Sequence, residues 1–161
     1  MKLSLILIAA IAVGPLCSAP PEDPRPLSGV QRAAIEKAVL EADDRATLAG
    51  QERNADKLFD FMHENDKGSV VMNGNLLRTR DQARSQVRDN FRAVSQIEYR
   101  WKQRLVTVLA PEIALVVSDG ESTVTSPQGS SFVASFVQTA VWMLKDGQWK
   151  ILHAHQSSPR R

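Results

Sequence analysis

The sequence predicts an α+β fold in which helices gathered in the first half of the chain cover one face of a curved antiparallel sheet built from the second half. Two observations carry this. Apolar residues recur every three or four positions as far as Val94 and every second position from Ile97 onward. The later segments are punctuated by Ala110-Pro111-Glu112, by Ser126-Pro127-Gln128-Gly129 and by Asp146-Gly147. Of these, Asp-Gly is the strongest hairpin signal, because both central positions of its turn take positive φ. The sequence shows no internal repeat.

The first residues have the layout of a secretory leader. Lys2 is the one early charge, an apolar run over residues 3–13 is too short to span a bilayer, and the small-residue stretch Cys17-Ser18-Ala19 places cleavage after Ala19. Lipidation at Cys17 is disfavoured because Leu16, not a small residue, precedes it. The mature chain is expected to be exported, secreted or periplasmic, with no membrane attachment once the leader is gone. Of 161 residues, 142 then remain, the size of one domain with a sizeable core. Cys17 is the single cysteine, so the mature chain has no disulfide, thiolate nucleophile or cysteine-bound metal. Loss of Lys2 reduces the twenty basic residues to nineteen against eighteen acidic ones. These charges are interspersed, which argues against nucleic acid as a partner.

Residues 20–27 hold four prolines and read as a linker. Ser28 can cap a first helix with the stripe Ile35, Ala38, Val39, Ala42, Ala46 and Ala49, ending near Gly50. A second, short helix from Asn54 buries Leu58, Phe61 and Met62 and is broken by the polar residues 63–68. Residues 69–72 form a short strand before a turn at Asn73-Gly74-Asn75. Thr79-Arg80-Asp81-Gln82 has capping-box spacing and opens a third helix, with the stripe Ala83, Val87, Phe91 and Val94. A strand follows from Ile97, then strands over residues 113–125, 131–145 and 148–157, and residues 159–161 form a tail.

The last hairpin carries the residues of greatest chemical interest. A two-residue turn at Asp146-Gly147 pairs Lys145 with Gln148 and sets Trp142 opposite Ile151, Ala140 opposite His153 and Gln138 opposite His155. Strict alternation then turns Gln138, Trp142, Trp149, Ile151, His153, His155 and Ser157 to one face. The other face, with Val137, Thr139, Val141, Met143 and Leu152, is also apolar and is expected to be a homodimer contact. A one-residue slip would exchange the two faces.

Three readings of His153 and His155 stay open: core histidines hydrogen-bonded to Gln138, Ser157 or backbone, pocket groups that move a proton, or half of a metal site. The metal reading needs a third ligand, and His63 is the only other histidine. No metal is therefore assigned. His63 is an exposed loop residue or closes the pocket mouth. Asn73 is a turn residue or a ligand contact, Tyr99 and Trp101 are core or cavity groups, and Asp119 and Glu121 are solvated strand-end carboxylates or face the barrel mouth. The sequence has no Gly-x-Ser-x-Gly elbow and no Gly-rich phosphate loop, and no cofactor is expected.

The element order and the closing pattern Asp146, Gly147, Trp149, Ile151, His153, His155 and Ser157 resemble the nuclear transport factor 2-like superfamily. Within it the chain is similar to SnoaL-like domains and to the association domain of calmodulin-dependent kinase, over residues 28–158. The resemblance implies a cone-shaped, curved antiparallel sheet whose concave face is covered by three N-terminal helices, enclosing a pocket, in a chain that is usually a homodimer. Relatives include isomerases, dehydratases, hydrolases, binding modules and assembly domains, so the fold leaves the chemistry open. Catalytic relatives pair a carboxylate with a histidine or tyrosine at the floor of the cone, which here implies Asp119 with His153 or Tyr99. Assembly-type relatives carry a basic residue two before the penultimate-strand tryptophan, where this chain has Ala140. The expectation is an exported domain that binds a small, partly apolar molecule through Gln138, Trp142, Trp101, Asn73 and Ser157. The alternatives are a cofactor-independent enzyme using His153 or His155 as general acid or base, and a structural dimer domain.

Overall fold

The computed structural model describes residues 26–64 and 70–159. The expected leader, its cleavage point and residues 20–25 of the linker lie outside the described residues, as do residues 65–69 and 160–161.

Helix α1 (Gly29–Gln51) opens on a full capping box. The Ser28 hydroxyl accepts from the Gln31 N–H at 3.2 Å, and Gln31 Oε1 accepts from the Ser28 N–H at 2.9 Å. The helix runs past Gly50, and the left-handed exit is made by Arg53 at φ 55°. Gly50 answers a different need: a Cβ there would stand 3.2 Å from the Tyr99 ring. Helix α2 (Ala55–Phe59), capped by Asn54, has only five residues. It buries Ala55 and Phe59, while Leu58 and Phe61 are half-buried at the margin of the core.

Strands β1 (Val70–Met72) and β2 (Asn75–Leu77) form a tight hairpin through Asn73 and Gly74, both at positive φ. The sequence predicted the turn but not its second strand. Helix α3 (Arg80–Arg92) starts where Thr79 accepts from the Gln82 N–H at 3.1 Å. The Gln82 side chain reaches one residue further back than a capping box requires, to the Arg78 N–H at 2.9 Å. Four long strands follow: β3 (Gln96–Ala110), β4 (Ile113–Thr125), β5 (Ser131–Lys145) and β6 (Gln148–Ser157). The last two are joined by Asp146 (φ 51°) and Gly147 (φ 73°), as the Asp-Gly pair predicts.

The strand order is β2-β1-β6-β5-β4-β3 in one curved, unclosed sheet. It is antiparallel except where β1 runs parallel to β6. Val39, Ala42 and Ala46 of α1 join Phe59, Met62, Val116, Ala140, Trp142 and Ile151 in the core. Each fully buried large side chain here contributes about 1.5–3 kcal/mol. Among the described residues no helix is long and apolar enough to cross a membrane.

Two β-bulges decide what the concave face presents. In β3, Trp101 lies opposite Gly120 but Gln103 lies opposite Asp119, so Lys102 is an extra residue and the alternation inverts after it. In β6, Ile151 lies opposite Trp142 but His153 lies opposite Val141, so Leu152 is extra. Beyond it, Ala154 and Gln156 take the inner positions opposite Ala140 and Gln138. This overturns the register expected from strict alternation.

Candidate functional site

A cavity of about 110 Å³ lies between α1 and the concave face of the sheet. Asp43, Ala46, Thr47 and Gly50 reach it from one side of α1, spaced as successive turns of a helix require. Leu58 enters from α2, Tyr99 and Trp101 from β3, Phe136 and Gln138 from β5, and Ile151 and Gln156 from β6.

The aromatic wall is held from three directions. The Phe136 ring meets Trp101 and Tyr99 edge to face, with centroids 5.3 and 5.9 Å apart. Trp101 Nε1 donates to Thr47 Oγ1 at 3.3 Å, and the Tyr99 backbone N–H donates to Gln51 Oε1 at 2.9 Å. Beneath the rings lies Gly120, where a Cβ would stand 2.9 Å from Trp101 and 3.2 Å from Phe136. Burial pushes the Tyr99 phenol up to about 12, so it remains a neutral hydroxyl at ordinary pH.

The acidic wall is Asp43, which is only 3% exposed. The Lys102 bulge turns Arg104 inward, and its Nη1 donates to Asp43 Oδ2 at 3.1 Å and to Asp44 Oδ1 at 2.6 Å. Burial raises the Asp43 carboxyl above its ordinary range, against the lowering effect of the Arg104 hydrogen bond and charge. Burial also works against the Arg104 charge, yet its bonds to Asp44 and Asp43 hold the guanidinium above its usual value.

Of the residues singled out in the sequence, Tyr99, Trp101 and Gln138 meet in this cavity. Trp142 faces inward but is sealed in the core, with no exposed surface. His153, His155 and Ser157 lie beyond the Leu152 bulge, opposite Val141, Thr139 and Val137, on the outer face. His153 is half-buried there and His155 is exposed. Asp119 is exposed on the same outer face, whereas Tyr99 points inward opposite Ser122, so the expected Asp119–Tyr99 pairing does not form. Asp119 and His153 share a face but are separated by β5 and by four residues of register. Asn73 sits in the β1–β2 turn, and its Oδ1 accepts from the Ser158 N–H at 3.0 Å. His63 is half-buried outside the cavity, with its N–H bonded to the Ile151 carbonyl at 2.8 Å.

Sequence reasoning missed Asp43, Gln156 and Arg104. Asp43 had a visible signal: it falls on the small apolar stripe of α1, between Ala42 and Ala46 and four residues after Val39. Gln156 and Arg104 had none, because each faces inward only through a bulge. Among the described residues no group of three or more His, Cys, Asp or Glu side chains is placed to hold a metal ion.

Comparison with known proteins bears on the same architecture. The profile of the SnoaL-like domain matches residues 39–161. A nuclear transport factor 2-like superfamily protein from Salmonella enterica superposes with TM-score 0.73 at 14% identity, over 81% of this chain and 94% of that one. A protein named as a scytalone dehydratase from Novosphingobium aromaticivorans gives 0.75 at 12% identity, over 83% and 89%. One named for the calcium/calmodulin dependent protein kinase II association domain, from Xanthomonas campestris, gives 0.65 at 18% identity, over 86% and 92%. At these identities the likeness establishes the fold alone. Curated proteins give no match.

Proposed function

Because this chain belongs to the SnoaL-like domain family, with a fold whose members include dehydratases and isomerases, we propose that it binds a small, partly apolar molecule in the cavity between α1 and the sheet. The observation that carries this is the lining itself: aromatic and aliphatic walls with a few polar groups, one of them a buried carboxylate. Small-molecule sites are generally built this way. The volume limits the ligand. At about 110 Å³ the hollow is smaller than the ~150 Å³ that accepts a benzene ring in an apolar cavity. The hollow is partly open to solvent, so the part of a larger ligand that does not fit within it would lie in its mouth.

A fragment screen read by thermal shift and by the Trp101 indole N–H resonance tests the proposal. Binders should raise the Tm of the native chain and shift that resonance. Ala46→Leu, which fills the hollow from α1, should abolish both effects while the fold survives, and His155→Ala should leave both intact. A screen in which no fragment moves the Trp101 resonance, or in which His155→Ala removes binding, refutes the proposal.

A catalytic reading is favoured by one observation, the burial of the Asp43 carboxyl in the cavity wall, which pushes its pKa above the ordinary range. A carboxyl poised in this way suits general acid or base work, and the acid/base role moves to it from His153 and His155. We further propose that the protein is exported through its N-terminal leader and that the outer sheet face forms a homodimer.

A further inference from the structure

The polar groups of the cavity specify more than its size. Gln138 and Gln156 are direct register partners on β5 and β6, so their side chains stand next to each other on the inner face. Neither side-chain amide bonds to another protein group among the described residues, and neither is among the buried polar atoms sealed from the cavity. The walls therefore present two carbonyl acceptors and two NH₂ donors side by side. No lysine, arginine or histidine lines the hollow. The nearby cation, Arg104, is committed to Asp43 and Asp44.

Charge selection follows from this arrangement. A carboxylate entering the hollow would lose its hydration, find no free cation, and face Asp43. An ammonium would also lose its hydration, and the carboxylate it could approach is already neutralised by Arg104. A neutral group that presents a donor beside an acceptor can satisfy the paired glutamines while its apolar end packs on Trp101, Phe136 and Ile151.

We propose that the site selects a small uncharged molecule with an amide-like edge, read by Gln138 and Gln156, and rejects the carboxylate and the amine of the same size. The proposal rests on the cavity being a ligand site, as argued above. Isobutyramide, isobutyrate and isobutylamine are small probes of similar size that share one isopropyl group and differ in charge. Each is titrated at pH 7 into the full domain, followed through the Trp101 indole N–H and the glutamine side-chain NH₂ resonances. The amide should bind at least tenfold more tightly than either charged probe. Gln156→Leu should weaken the amide at least fivefold and leave the charged probes unchanged, with Gln138→Leu as the second variant should the first not fold. Equal binding of the amide and isobutyrate, or a preference for either charged probe, overturns the selectivity and leaves the ligand site standing. Absence of response to all three probes overturns the selectivity, and the ligand site falls with it only if the fragment screen finds no binder either.

Discussion

Tyr99 is the one tyrosine of the chain, so tyrosinate absorbance reports a single cavity residue. Its phenol is pushed up to about 12 by burial, against 10.0 in the unfolded chain. The folded state thus keeps a proton that the unfolded state loses. The stability tied to this group is fully present below pH 10 and is lost as pH rises from 10 towards 12. An alkaline titration should give a midpoint near 12 for the native protein and about 10 in denaturant, and Tyr99→Phe should remove this alkaline loss of stability. A native midpoint at 10 would mean that the ring is solvated. Arg104 allows a second test. Arg104→Met leaves the Asp43 carboxylate buried without its partner, a change that costs on the order of 3–5 kcal/mol in comparable pairs. The contact of Arg104 with the exposed Asp44 adds at most about 1 kcal/mol. The folded pKa of Asp43 is already raised, so the native state binds more protons than the unfolded chain and stability falls as pH climbs through that range. Arg104→Met should steepen the fall, so urea unfolding at pH 7 should show a larger loss than at pH 5. An equal loss at both pH values would rule out an uncompensated charge as its cause.

The decisive devices among the elements are the two bulged strands and the glycine between them. Without Lys102 as an extra residue, Arg104 would face solvent, and without Leu152, His155 would take the place of Gln156. Periodicity cannot reveal such insertions, because Lys102 and Leu152 fit an unbroken alternation as well as a bulged one. The first part of β3 was legible: Tyr99 and Trp101 precede the bulge and stand where alternation puts them. Gln138 was legible for a similar reason, since β5 contributes no extra residue at either bulge. Gly120 is the point on which both rings turn. Gly120→Ala forces a methyl to within 2.9 Å of Trp101 and about 3.0 Å of the Arg100 carbonyl. It should destabilise the fold by about 1–3 kcal/mol and push the Trp101 ring into the hollow, measured as a lower urea midpoint together with weaker fragment binding. An unchanged midpoint would show that β3 yields without strain.

For the whole molecule, the outer sheet face is the main unfinished surface. Leu105, Ile113, Val133 and Val137 are exposed by 55, 37, 55 and 48% on the side away from α1, and Val117, Val141 and Met143 are half-buried among them. An apolar expanse of this kind commonly marks an interface. In the proposed homodimer it would be covered by its own copy, with His153 and His155 at the margin. Sedimentation equilibrium should show a dimer at micromolar concentration, and Val137→Asp should yield a folded monomer whose cavity still binds fragments. A monomeric wild-type chain would exclude the dimer.

Local chemistry sufficed for much of this protein. Ser28 and Thr79 start helices, Asp146-Gly147 sets a turn, and the change of period near residue 95 divides helices from sheet, because each is governed by contacts between residues close in sequence. The composition of the cavity was decided elsewhere. Whether a strand absorbs an extra residue depends on how it curves against its neighbours and on what fits beneath α1. That competition between strands, rather than any preference of the residues themselves, turned the histidines outward and brought Arg104 and Gln156 in.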